Sequence, residues 1–203
     1  MSETFYYITF FILTLIVSFY LNGYINQIFV GNKLTDPVNE RSSHKYPATR
    51  SGGLSVFFTI CLACAFGVST GKLVIPLYAL LSVFFLTLTG FADDLINVRY
   101  REKFFLQIFA AVLMFQSGYS IDSFHGVFNI YEVPWWLELT SSLFVFVVVV
   151  NALNLIDGLD GMASFISMKF FLIAGGIILV SKTEWFLFFP IIISALVGFL
   201  WFN

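Results

Sequence analysis

Long apolar runs, broken at short intervals by brief polar stretches, constrain this chain more than any other feature. A helix that crosses a bilayer needs about 20 mostly apolar residues. Runs near that length cover residues 5–21 (extendable to 30), 53–70, 73–92, 104–119, 137–153, 162–180 and 185–202, which predicts about seven spans. Only 11% of the 203 residues are charged, against about 25% in an ordinary soluble domain. Too few charges remain to build a water-facing surface, so lipid must be the solvent for most of the chain. Val147 to Val150 are β-branched, but a lone strand in hydrocarbon leaves its backbone unpaired, and helix is expected there too. The expected fold is all-α: a polytopic transmembrane helix bundle, one domain over residues 1–203. The first run follows an acidic, Lys-free start and lacks a small-residue cleavage site, so it reads as a retained anchor helix.

Seven consecutive spans put alternate connections on opposite sides. One side collects residues 31–52, 93–103 and 154–161, and with them Lys33, Arg41, Lys45, Arg50, Arg99, Arg101 and Lys103. The other holds only Lys72 and Lys182, while Lys169 falls inside a span. Cationic loops stay cytoplasmic, so the first side is expected to be cytoplasmic and the N-terminus outside. Trp135 and Trp136 suit an interfacial anchor on the outer side. Cys61 and Cys64 form a C-x-x-C pair within an apolar run, with no second pair to complete a zinc site, and read as small packing residues.

The three cytoplasmic stretches carry the chemistry. The first runs from Asp36 to Gly53 and combines Arg41, Lys45 and Arg50 with Gly52 and Gly53 just before a helix begins. Cations beside the free N–H groups of a helix start suit a phosphate. The same composition also suits a basic anchor that touches only lipid headgroups. The second places Asp93 and Asp94 directly after an apolar run, followed by Arg99, Arg101, Lys103 and Gln107. Like charges so close repel unless a cation or Mg²⁺ holds them. A helix cap explains one of the two carboxylates but not both. The third reads Asn151-Ala-Leu-Asn154-Leu-Ile-Asp157-Gly-Leu-Asp160-Gly161, with a polar group at every third position. In a helix these groups form one slowly drifting stripe, and ionisable side chains at membrane depth are costly and generally functional. Interhelical hydrogen bonding accounts for the asparagines and leaves both aspartates unexplained. With all three stretches on one side, they can converge on one cytoplasmic cleft.

Together these stretches resemble the polyprenyl-phosphate N-acetylhexosamine-1-phosphate transferases, glycosyltransferase family 4, which include the phospho-MurNAc-pentapeptide translocase. The resemblance rests on Arg41-Ser-Ser-His44 with Pro47-Ala-Thr-Arg50-Ser-Gly-Gly53, on Gly90-Phe-Ala-Asp93-Asp94 with Lys103 and Gln107, and on the run from Asn151 to Gly161. It implies attack of a polyprenyl (undecaprenyl) phosphate on the sugar-proximal phosphorus of a UDP-sugar, releasing UMP and beginning a lipid-linked surface glycan such as an O-antigen. By motif, Asp93 and Asp94 would be the catalytic pair that handles the lipid phosphate, with Asp93 the base. Arg41, Lys45, Arg50, Gly52, Gly53, Lys103, Asp157 and Asp160 would bind substrate and nucleotide. Asn154 and Asp157 would hold Mg²⁺ or Mn²⁺. The implied partners are the lipid phosphate, the UDP-sugar and the membrane, in a bacterial plasma membrane, with no nucleic acid and room for a homodimer.

Two features depart from the family pattern. Pro47-Ala-Thr-Arg50-Ser replaces the usual P-T-P-R-G, and Lys169 lies one to two turns beyond the third stretch, where it either snorkels to the boundary or pairs with an aspartate. The larger departure is length. Gly198-Phe-Leu-Trp-Phe-Asn203 matches the start of a further family motif, G-F-L-x-x-N-x-x-P-A, whose sequel carries a metal-binding Asp and a sugar-reading basic loop. The chain is therefore expected to be the N-terminal part of a longer transferase and inactive, or nearly so, alone. The competing expectations are a non-catalytic truncated paralogue that joins a glycan-assembly complex, and a small transporter. A transporter would place polar groups near the midplane rather than at one boundary.

Overall fold

The computed structural model describes residues 3–34, 49, 51–156, 161–181 and 184–202. It is the expected polytopic helix bundle: α1 (Glu3–Gly31), α2 (Gly52–Ser69), α3 (Leu77–Ile96), α4 (Tyr100–Gln116), α5 (Trp135–Ile156), α6 (Met162–Ser181) and α7 (Phe188–Leu200). Helices α1, α2, α3 and α5 are each long and apolar enough to cross a membrane, and α6 and α7 contribute shorter apolar stretches, Met162–Ile178 and Phe188–Leu200. With its 17 residues, α4 extends about 26 Å at 1.5 Å per residue, a little under the hydrocarbon thickness of about 30 Å.

Helix boundaries depart from the sequence reading at several points. The first run takes its long option, through Val30. The third starts at Leu77 rather than Leu73, because Pro76 sits in an extended conformation as the N-cap. The same helix runs past Ala92 to Ile96, and α4 begins four residues before Phe104, so the presumed loop 93–103 shrinks to a turn at residues 97–99. The last run is split by a 3₁₀ turn, Glu184–Leu187, ahead of α7.

Two compact units divide the chain: Met1–Val74 with Leu159–Asn203, and Ile75–Gly158. In the first, α1, α2 and α7 pack against one another and α6 packs on α7. Small and hydroxyl side chains hold them close. Ser18 Oγ on α1 donates to the Ala195 carbonyl on α7 at 2.8 Å. The hydroxyl of Ser55 on α2 donates to Asn22 Oδ1 on α1, whose Nδ2 donates back to the Ser18 carbonyl. Ser18, Asn22, Ser55, Thr59 and Ser194 are all buried. Between apolar helices in lipid, such close contacts and hydrogen bonds replace the hydrophobic drive that water would supply. Large side chains such as Tyr20, Tyr24, Phe58 and Leu62 stay exposed, as lipid-facing positions should.

The second unit is an up–down–up set of three helices. Ser82 Oγ on α3 donates to the Ala110 carbonyl on α4 at 2.7 Å, and the Phe85 and Phe109 rings meet edge to face with centroids 5.1 Å apart. At the far end of α4 the connection 117–134 is pinned to α5, through Ser120 Oγ to Glu138 at 2.6 Å and the Ile121 amide to Ser142 Oγ at 2.9 Å.

The α1–α7 crossing gives a direct test of the first unit. A Cβ on Gly198 would lie 2.4 Å from Ser18 Oγ, 2.6 Å from its Cβ and 3.3 Å from the Phe19 nitrogen. Rotating the hydroxyl relieves only the first clash, so the helices themselves must separate. Gly198→Ala is expected to cost about 1–3 kcal/mol, read as a lowered Tm in detergent. Gly176→Ala in α6, with nothing within 4 Å of the added carbon, is expected to leave Tm unchanged or raise it.

Candidate functional site

Asn97 ends α3. It adopts the left-handed conformation (φ 49°), and its amide donates to the Asp93 carbonyl at 2.9 Å. Arg99 is extended as the N-cap of α4, and Glu102 sits in that helix's first turn, where the positive end of the dipole favours an acid. This sharp reversal puts the first turn of α4 beside the last turn of α3. Lys103 Nζ approaches Asp93 Oδ2 at 2.7 Å, with the two side chains 20% and 30% exposed. Consecutive helical residues point about 100° apart, so the two carboxylates of the pair diverge. Asp93 is half-buried and turned to α4, while Asp94 is exposed. The acidic pair thus belongs to a helix end and not to a loop.

One turn further along α4, Gln107 is 2% exposed and faces α5. Its Oε1 accepts from Asn151 Nδ2 at 2.7 Å and its Nε2 donates to Asn151 Oδ1 at 3.4 Å. Asn151 also donates to its own helix, at the Val147 carbonyl 2.8 Å away. Asn151 and Asn154 lie on α5 itself, which runs through to Ile156. The stripe anticipated from the sequence is therefore helical at least that far. Around these groups opens a cavity of about 720 Å³ lined by Tyr100, Arg101, Lys103, Phe104, Phe105, Gln107, Asn151, Asn154 and Leu155. One part of its wall is cationic and amide, and the other is aromatic and aliphatic. Such a wall can hold an anionic head beside an apolar chain.

The other site candidates are distributed as follows. Gly52 opens α2, and Gly53 follows it with open space at its Cα. A Cβ on Gly52 would fall 2.2 Å from the Phe199 ring, so that glycine also allows α2 to approach α7. Thr49 Oγ1 donates to Asn26 Oδ1 at 2.7 Å and lies 2.8 Å from Ser51 Oγ, which ties the approach to α2 onto α1. Arg41, Lys45, Arg50, Asp157 and Asp160 lie outside the described residues. Lys169 is exposed on α6. Among the described residues no three His, Cys, Asp or Glu side chains gather as a metal cluster. The exposed amide of Asn154 offers a hard oxygen donor in the cavity wall. Mg²⁺ is usually held by one or two carboxylates together with water and substrate phosphate, and the carboxylate expected beside Asn154, Asp157, lies outside the described residues.

Residues 76–203 match the family model for glycosyl transferase family 4. The chain belongs to glycosyl transferase family 4. Over 95% of its length it is 26% identical to a Bacillus subtilis protein named probable undecaprenyl-phosphate N-acetylglucosaminyl 1-phosphate transferase, covering 54% of that relative. A phospho-N-acetylmuramoyl-pentapeptide-transferase from Nautilia profundicola is 29% identical over 98% of the chain and 67% of the relative. An undecaprenyl-phosphate alpha-N-acetylglucosaminyl 1-phosphate transferase from Thermotoga maritima is 30% identical over 75% of the chain and 46% of the relative. The chain thus spans about half to two thirds of the length of these relatives.

For this family 4 chain the sequence reading had Lys103, Asp93, Asp94 and Asn154 as site residues and left Gln107 and Asn151 as parts of motifs without a role. The signal that pairs them is tertiary, since they lie 44 positions apart. Tyr100 also escaped it, and Arg101 was read only as one of the cations of the second stretch. Arg101 Nε donates to the Tyr100 hydroxyl at 3.0 Å, and both line the cavity.

Because the Lys103–Asp93 pair is partly solvated, its net worth to folding is small. Lys103→Met is expected to change stability by no more than about 1 kcal/mol, with a Tm that depends less on salt than the parent's. Thermal unfolding at low and high ionic strength checks this.

Proposed function

We propose that the complete gene product transfers N-acetylhexosamine 1-phosphate from a UDP-sugar to a polyprenyl phosphate. An oxygen of the lipid phosphate bonds to the sugar-proximal phosphorus, the bond from that phosphorus to the bridging oxygen breaks, and UMP leaves with the electron pair. The observation that carries the reading is the cavity of the second unit. It sets Lys103, which is paired with Asp93 behind it, and the Asn151 and Asn154 amides beside Phe104, Phe105 and Leu155 in one wall. That combination suits an amphiphile with a phosphate head, and the names of the relatives agree with it.

In this reading Lys103 is shared between Asp93 and the incoming phosphate, whose charge it neutralises. Asp93 accepts any proton the phosphate still carries, and Asp94, exposed beside it, orients the head group. Arg41, Lys45, Arg50, Gly52 and Gly53 hold diphosphate oxygens, and Asp157 and Asp160 shape the nucleotide site. Asn154 and Asp157 hold Mg²⁺, which supplies charge neutralisation at the diphosphate when bound. Phosphoryl transfer asks a protein for positioning and charge more than for covalent chemistry, and these residues are of that kind. The membrane is a bacterial plasma membrane, with the α3–α4 turn cytoplasmic and the N-terminus outside.

Two experiments test this. The purified gene product, supplied with Mg²⁺, undecaprenyl phosphate and UDP-N-acetylglucosamine or UDP-N-acetylgalactosamine, is expected to release UMP. Asp93→Asn and Lys103→Met should each lower the rate at least about a hundredfold while remaining folded. Undiminished UMP release from both variants would sink the assignment. For sidedness, Val98→Cys and Val127→Cys are made without Cys61 and Cys64. An impermeant maleimide on intact cells should label position 127 and spare 98, and the reverse pattern would invert the topology.

A further inference from the structure

The three helices of the second unit are joined by two different kinds of link at their shared end. Lys103 joins α4 to α3 by charge. Gln107 joins α4 to α5 by a reciprocal amide pair in which each side chain both donates and accepts. The second link has little competition from packing, because no residue of α5 is buried. Apolar contact between helices in lipid supplies little force to choose one axial position over another. A reciprocal amide pair does choose, since its donors and acceptors meet at one register only. A single polar pair fixes register between coiled-coil helices in the same way.

The spacing then links the pair to the chemistry. Lys103 lies one turn before Gln107 on α4, and Asn154 lies close to one turn after Asn151 on α5; both line the same cavity. A slip of one helix by a turn would carry Lys103 about 5.4 Å relative to Asn154. We propose that the Gln107–Asn151 amide pair is a positioning device: it sets the register of α4 against α5 and thereby the separation of Lys103 and Asn154 across the cavity. The inference rests on the proposed transferase reading, in which these two residues engage the lipid phosphate and the diphosphate metal.

The experiment uses the complete gene product and exchanges the two amides. Gln107→Asn shortens one arm, Asn151→Gln lengthens the other, and the double variant restores the total reach. Each single change is expected to lower kcat about tenfold to a hundredfold while KM for the UDP-sugar moves less than about threefold. The double variant should recover kcat to within about threefold of the parent. Single variants that lose Tm but keep kcat overturn the positioning role, as does an exchange that restores Tm without kcat. Where a single variant fails to fold, Gln107→Glu and Gln107→Met replace it. Glu keeps the acceptor for Asn151 Nδ2 and should retain more kcat than Met, and equal values for the two overturn the proposal. A parent protein inactive with both substrates overturns the transferase reading and this inference with it. An active parent with unaffected variants overturns only the inference.

Discussion

Hydrocarbon offers no partner to a hydrogen-bonding group, and every polar side chain on these helices has to be accounted for under that constraint. The backbone meets it by being helical. The side chains meet it in two ways, and the difference separates the two compact units. In the first unit the buried polar groups, among the described residues, are serines and threonines with one asparagine, Asn22. Ser18 and Ser55 reach across to a carbonyl or an amide on a neighbouring helix, and Gly198 leaves the room they need. Groups of this size draw helices together and do little else.

In the second unit the polar groups are long or charged. Lys103, Asp93, Gln107, Asn151 and Asn154 occupy the end of the unit where α3 stops, α4 starts and α5 stops. Helix packing does not require an ammonium, a carboxylate and three amides there; serines and alanines of the kind found at Ser82 and Ala110 serve that purpose lower down the same helices. The excess polarity also lies beside open space with an apolar wall. Size and charge of the polar groups, and not their mere polarity, distinguish a candidate site from a packing seam.

The fold was largely legible because apolar length is a strong signal, and all seven runs became helices. The ends were less legible. Asp93 and Asp94 look like loop residues in a hydropathy pattern, yet α3 carries them to its last turn because Asn97 provides a left-handed cap beyond them. Pro76 moved the start of the same helix for the opposite reason, by fixing an extended cap. Within the site, Lys103 and Asn154 were readable from motif and charge. The pairing of Gln107 with Asn151 was not, since nothing in a linear sequence relates one amide to another 44 residues away. It depends on α4 and α5 running antiparallel with one particular register.

The acidic pair is also placed against local electrostatics. A helix C-terminus carries partial negative charge and favours cations, by about 0.3–1 kcal/mol for an exposed group. Two aspartates in the last turn of α3 oppose both that field and each other. Lys103 relieves part of this, and it comes from the neighbouring helix rather than from α3, which has no basic residue in its last turn. A sequence selected for folding alone would place lysine or arginine at positions 93 and 94 and let α3 complement its own dipole. Local rules are broken where function demands a different arrangement. Here the broken rule leaves carboxylates whose counter-charge is borrowed across a turn of three residues, so an incoming phosphate or cation can compete for the same partners.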